Sequence, residues 1–124
     1  MKIEGGCYCG AVRYRAQGEP SMRAQCHCRE CQYITGGGPN FLMMMPADGF
    51  ARTDIARPVT RQFCPDCGTH LVTRLDGFPA VVVKVGTMDD PLQFGAPQVA
   101  LFTCDRQAFH EIALGIAQFE RMPF

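Results

Sequence analysis

Apolar residues recur along the chain in short runs of about five or six, separated by Gly, Pro, Asp and Ser, as in strands joined by turns. Such runs cover residues 11–16, 22–26, 40–45, 59–63, 70–75, 80–85 and 99–103. In the first, Val12 and Tyr14 alternate with Arg13 and Arg15, the pattern of a half-buried strand. In contrast, Ala80-Val81-Val82-Val83-Lys84-Val85 is β-branched almost throughout and bounded by Pro79 and Gly86, which predicts a central strand. The best helix candidate is short, residues 28–34, stopped by Gly36-Gly37-Gly38. A further helical turn is expected over 105–110, with Asp105 as its N-cap. No repeat, linker or low-complexity tract divides the chain, so the expectation is one domain over residues 1–124, mainly β, compact and built of short antiparallel strands.

Composition agrees. With 47% hydrophobic and 19% charged residues the chain is globular rather than disordered, and 13 Gly with 9 Pro suit a turn-rich β fold. No apolar run approaches the roughly 20 residues of a membrane helix, so no membrane association is expected. Met1-Lys2-Ile3-Glu4 lacks the apolar stretch of a secretory leader. A cytoplasmic, reducing setting is therefore expected, where disulfides are rare. Twelve basic and twelve acidic residues balance, and thiolates bound to metal would tip the total negative. That argues against a nucleic-acid partner, which calls for clustered Lys and Arg. Arg outnumbers Lys ten to two, which leaves room for a local carboxylate site.

The cysteines alter this picture most. Eight are arranged as Cys7-x-Cys9, Cys26-x-Cys28-x-x-Cys31, Cys64-x-x-Cys67 and Cys104. In Cys64-Pro65-Asp66-Cys67-Gly68, Pro65 presets the turn and Gly68 permits positive φ after the second sulfur, so both thiolates can meet one ion. A structural Zn²⁺ takes four ligands, and Gly6-Cys7-Tyr8-Cys9-Gly10 is the natural complement. Cys7, Cys9, Cys64 and Cys67 thus form a closed zinc site that staples the N-terminal region to the chain middle. Cys26, Cys28 and Cys31 form a second, three-thiolate zinc site; three protein ligands with an exchangeable fourth position is the layout of a catalytic zinc, and zinc deprotonates a coordinating thiol.

Alternatives exist for several of these residues. A disulfide framework is disfavoured by the close spacing. Cys104 could close the second site as a fourth thiolate. His27 points away from Cys26 and Cys28 if the segment is extended, which makes it a non-ligand. His70 and His110 read as surface or capping histidines. Met43-Met44-Met45, flanked by Phe41 and Leu42, reads as core and pocket wall rather than a copper site. An iron–sulfur cluster competes for the first four cysteines, but Cys-x-Cys with a Cys-Pro-x-Cys-Gly knuckle favours zinc.

Four motifs in order resemble the family of glutathione-dependent formaldehyde-activating enzymes, which includes centromere protein V-like members. They are Gly5-Gly6-Cys7-Tyr8-Cys9-Gly10-Ala11-Val12-Arg13-Tyr14; Cys26-His27-Cys28-Arg29-Glu30-Cys31 with Thr35-Gly36; Phe63-Cys64-Pro65-Asp66-Cys67-Gly68-Thr69; and Val85-Gly86-Thr87-Met88-Asp89-Asp90-Pro91. The resemblance implies a β-tent fold, a structural zinc on Cys7, Cys9, Cys64 and Cys67, and a second zinc on Cys26, Cys28 and Cys31. It implies the reversible joining of glutathione and formaldehyde to S-hydroxymethylglutathione, a carbon–sulfur lyase reaction. The chain departs from the pattern in its short stretch between Pro46 and Val59. It also carries Cys104-Asp105-Arg106 where many relatives have a Trp-bearing segment.

Two functions follow. The first is a zinc-dependent carbon–sulfur lyase acting on an adduct of glutathione or a similar small thiol. Thr35, Gly36 and Gly37 would offer backbone donors near the zinc, and Arg29 or Arg106 would meet substrate carboxylates. The second is a non-catalytic zinc-stabilised module that binds a small thiol or a protein partner.

Overall fold

A computed structural model of the chain describes residues 1–52, 61–74 and 77–124. The strands, in order, are β1 Lys2–Gly6, β2 Arg13–Gln17, β3 Met22–Cys26, β4 Asn40–Pro46, β5 Phe50–Arg52, β6 Arg61–Phe63, β7 His70–Arg74, β8 Ala80–Lys84, β9 Val99–Leu101 and β10 Ala117–Gln118. The helix α1, Arg29–Thr35, joins β3 to β4. The protein is mainly β, in two sheets. The smaller is ordered β1-β2-β5 and the larger β10-β9-β3-β4-β8-β7-β6. No helix among the described residues is long and apolar enough to cross a membrane.

The β-branched run 80–85 becomes β8, bonded on one side to β4 and on the other to β7, with all five of its residues buried. Alternation along β4 and β8 sends side chains to opposite faces of the large sheet. Met43, Met45, Val81 and Val83 face one way and pack with Ile3, Tyr14 and Ala16 of the small sheet. Leu42, Met44, Ala80 and Val82 face the other way, where Cys26, Cys31 and Leu101 join them and Phe102, Phe119 and Met122 pack as a partial cover. The methionine triplet is therefore split between two cores, as expected for a strand. Each fully buried aliphatic side chain of this kind contributes roughly 1.5–3 kcal/mol.

Several expectations change in the structure. The sheets are not wholly antiparallel: β9 runs parallel to β3, and β10 parallel to β9. This arises because the chain crosses from β8 to the far edge of the large sheet before β9 enters beside β3. In place of the helical turn expected over 105–110 there is a 3-10 turn at Thr103–Asp105 and then a single turn closed by the His110 amide on the Gln107 carbonyl. At the first of these the chain is drawn onto residues 119–120 by the Thr103 and Cys104 amides rather than continuing a helix. The first strand expected at 11–16 begins at Arg13, because the Cys7–Cys9 turn extends to Val12, whose carbonyl accepts from the Cys7 amide. Residues 59–60 and 75, at the ends of two expected strands, lie outside the described residues, as does the second half of the stretch from Pro46 to Val59.

Candidate metal centre and adjoining cavity

Two groups of cysteines converge among the described residues: Cys7, Cys9, Cys64 and Cys67, and Cys26, Cys28 and Cys31, with all sulfurs of each group within 4.8 Å of one another. No cysteine is paired in a disulfide. In the first group, Sγ of Cys9 lies 3.5 Å from that of Cys7 and 3.6 Å from that of Cys64. Four thiolates around an ion at about 2.3 Å would be separated by about 3.8 Å along each tetrahedral edge, so the donor set fits one ion. The turns that make this possible are those read from sequence. Gly68 has φ 76°, and its amide bonds to the Cys64 carbonyl, closing the knuckle. Backbone and hydroxyl donors stabilise the sulfurs as anions. The Val12 amide donates to Cys7 Sγ at 3.2 Å and holds that thiol below its ordinary range. The Thr69 hydroxyl, 3.1 Å away, leads the contacts that bring Cys67 down to about 5.

The second group is built at the end of β3 and the start of α1. Cys26 and Cys31 are buried and Cys28 half-buried. Cys28 is the N-cap of α1, its sulfur accepting from the Cys31 amide at 3.4 Å. Gly36 ends the helix at φ 85°. Hydrogen bonds from the Cys26 and Cys31 thiols bring Cys28 down to about 2, while Cys26 is pushed up by Cys28, by Cys31 and by burial. Asn40, buried at the start of β4, aims its amide at Cys31 Sγ from 3.6 Å. Cys104 does not join the group; it is exposed, and its thiol lies 3.9 Å from the Asp105 carboxylate. Three sulfurs, with no fourth protein ligand gathered beside them among the described residues, can hold a metal ion and leave a coordination position open.

Cys26 and Cys31 line a cavity of about 140 Å³. Its other walls include Leu42, Met44, Val82, Leu101 and Met122, while Glu30 and Arg61, which bond to each other, share the lining. Lys84 also lines it. Although 92% of its surface is shielded, among the described residues its only side-chain acceptor is the Thr73 hydroxyl, 3.1 Å away. Burial pulls the ammonium below the usual lysine range, and the charges of Cys31 and Cys26 push it back. Sequence reasoning placed Lys84 in a central strand without assigning it a role. The signal was present: a charge at an alternate position of an apolar strand points into a core face, where it needs a reason to be.

The substrate-contact candidates lie elsewhere. Arg29, Gly36 and Gly37 border a separate open groove of about 320 Å³ with Gln32 and Tyr33, on the outer side of α1. Arg29 bonds Gln32 and sits over the Tyr33 ring. The Gly36 amide is committed to the Gln32 carbonyl, and the Thr35 hydroxyl to the Gly38 carbonyl. Arg106 is exposed and borders neither space. The structure does not bring these five together at the three sulfurs.

His27 turns away from the sulfurs, as expected of an extended segment. His110 is not a surface histidine: it is 3% exposed, and its Nδ1 lies 3.0 Å from Nδ1 of His27. The ends of this pair fix its protons. His110 Nε2 donates to the Gly37 carbonyl, so its Nδ1 accepts from His27 and from the Gln107 amide. His27 Nε2 accepts from Gln25, whose amide orientation is set by the Glu111 carbonyl and the Ala113 N–H. Burial is the main force lowering the His27 pKa. His70 is half-buried against Phe63.

Residues 2–105 match the family model described as glutathione-dependent formaldehyde-activating enzyme, and the chain belongs to that family. A Halomonas elongata protein named for the same family is 31% identical over 87 residues, covering 57% of this chain. The match spans about half of that relative's length, 55%. Among solved structures, a Rhodobacter sphaeroides protein superposes with a TM-score of 0.56 at 18% identity, over 76% of this chain and 96% of that one, a likeness of fold.

Proposed function

We propose that this chain is a zinc-dependent carbon–sulfur lyase of thiol–aldehyde adducts, with S-hydroxymethylglutathione the adduct its family points to. The observation that carries the reading is an incomplete three-sulfur set opening onto a cavity that also holds an under-partnered lysine. The complete four-sulfur set, on Cys7, Cys9, Cys64 and Cys67, is the structural zinc site. The eight free thiols suit the cytoplasm.

In the reaction R–S–CH₂–OH → R–SH + H₂C=O, the carbon–sulfur bond breaks, the hydroxyl proton leaves oxygen and the sulfur gains a proton. A zinc ion on Cys26, Cys28 and Cys31 would act as a Lewis acid toward the adduct. Cys28 is held as a thiolate by the donors around it, and Asn40 fixes Cys31. Lys84, whose ammonium protons Thr73 does not all use, gives one to the departing sulfur and takes up the hydroxyl proton in its place. The apolar walls keep bulk water from the released aldehyde.

The test is exchange spectroscopy on equilibrium mixtures of glutathione and formaldehyde with the zinc-loaded protein. Faster interconversion of free and hydroxymethylated thiol, lost in Cys28→Ser, is the expected result. Protein with two bound zinc ions that leaves the exchange rate unchanged would overturn the lyase reading in favour of a non-catalytic module.

A further inference from the structure

The cavity at Cys26 and Cys31 has a size and a lining that a formaldehyde adduct leaves unexplained. Formaldehyde contributes a single carbon. Glutathione, with about twenty non-hydrogen atoms, needs more than this space, since pockets enclosing ligands of that size run to roughly 300–1,000 Å³. A dry cavity of about 150 Å³ accommodates benzene, and this one measures about 140 Å³. Its walls are aliphatic and thioether side chains from β4, β8 and β9, with Ile34 of α1 and Met122 of the C-terminal segment. The polar groups on its lining are few: the three sulfurs' neighbours Glu30 and Arg61, which bond each other, and Lys84 with Thr73. With Glu30 and Arg61 committed to each other, one charged group with donors to spare beside a mainly aliphatic and thioether wall is the pattern of a pocket that orients a ligand by one polar atom and selects it by shape.

We infer that this cavity is a specificity pocket for the apolar arm of the adduct: the substrate carries an aryl or branched aliphatic group of about six carbons beside its sulfur–carbon–oxygen unit, with the oxygen toward Lys84. This rests on the reading of Cys26, Cys28 and Cys31 as the reacting centre. The arm can come from the aldehyde or from the thiol.

The experiment uses the zinc-loaded full chain with ¹³C-methyl methionine. Phenylmethanethiol and 2-mercaptoethanol present the same thiol group with and without the arm. Phenylmethanethiol is expected to bind at least about tenfold tighter, the gain from burying a ring of this size, and to shift the methyl signals of Met44 and Met122. Val82→Phe should fill the cavity and erase the preference; Met122→Trp at the half-buried lip does the same with less demand on the core. Equal affinities, or unmoved Met44 and Met122 signals, would overturn the inference. Comparing turnover of the glutathione–benzaldehyde adduct with that of the phenylmethanethiol–formaldehyde adduct distinguishes the source of the arm. A protein that turns over the glutathione–formaldehyde adduct but shows no preference for the arm keeps the lyase reading and loses the pocket. One that binds the arm and accelerates no adduct keeps the pocket and loses the lyase.

Discussion

At the scale of single residues, the two roles of sulfur separate by what each loss leaves behind. Cys28→Ser removes one of three donors from a site with α1 on one side and an open position on the other. The expected outcome is one zinc ion lost, turnover abolished, and a far-ultraviolet circular dichroism spectrum unchanged. Cys64→Ser removes a fully buried donor from the four-sulfur set, and the expected outcome is loss of the β spectrum at 25 °C, because metal binding at such a site is folding free energy. Lys84→Met keeps the volume and deletes the charge. Stability should change little or rise, since a buried ammonium with one acceptor is costly, while kcat/KM should fall about 10²-fold or more, the usual loss for a positioned proton-transfer group. Tyr14 gives a pH signature away from the three-sulfur group. Its hydroxyl shares a hydrogen bond with Thr87 Oγ1 at 2.8 Å, and burial pushes its pKa up to about 12. The unfolded phenol ionises near 10, so its contribution is fully present below pH 10 and is lost as the pH rises toward 12. Thermal melts of Tyr14→Phe should show a flatter decline over that range than the parent. The grouping of the seven converging cysteines was legible in the sequence because spacing alone limits where neighbouring thiols can go. Lys84 was given no role and His110 was read as a surface or capping residue, because burial of a charged or titratable side chain depends on which strand or loop finally covers it.

Among the elements, β8 and α1 were the most legible, one by its β-branched run and the other by its glycine stop. β1 was missed because Lys2–Gly6 alternates over only Ile3 before its glycines. It earns its place through pairing with β2 and a bridge from Gly5 to Met88. β5 and β10, three and two residues long, carry no periodicity to read. The parallel entry of β9 is likewise a tertiary choice. The element with most to hold is α1, and it does so through Gln32. Its buried amide donates to the carbonyls of His27 and Asp105 and its oxygen accepts from Arg29 and Gln107. One side chain thus ties the metal-loop backbone, the helix and residues 105–107 together. Gln32→Leu leaves two buried carbonyls without donors, at about 1–3 kcal/mol each. Chemical denaturation should show a loss of about 2–4 kcal/mol, and zinc at the three-sulfur site should exchange faster with a coloured chelator while the four-sulfur site is unaffected.

At the scale of the whole molecule, the two sulfur groups belong to different cores. Cys7 and Cys64 pack with the core between the sheets, whereas Cys26 and Cys31 pack on the outer face of the large sheet. The four-sulfur group pins the β1–β2 turn to the β6–β7 turn, more than fifty residues apart, so it closes the longest loop that any metal here could close. Closing a long loop is entropically costly, and the cost grows only slowly with length; an ion that holds it closed contributes stability that the modest core would otherwise have to supply. The three-sulfur group draws all its donors from six consecutive residues, and its loop is already held by Gln32, His27 and Asn40. Its ion therefore closes no long loop. Titration with a chelator of graded strength should release zinc in two steps. The first ion should leave with the β spectrum intact and the melting temperature lowered by only a few degrees, while turnover and the binding of thiols disappear. The second should leave together with the fold. Simultaneous loss of both ions and the fold would mean that the two cores unfold as one unit and that the division of labour between the sites is wrong. Reversing the order of release would assign the open position to the other set of cysteines.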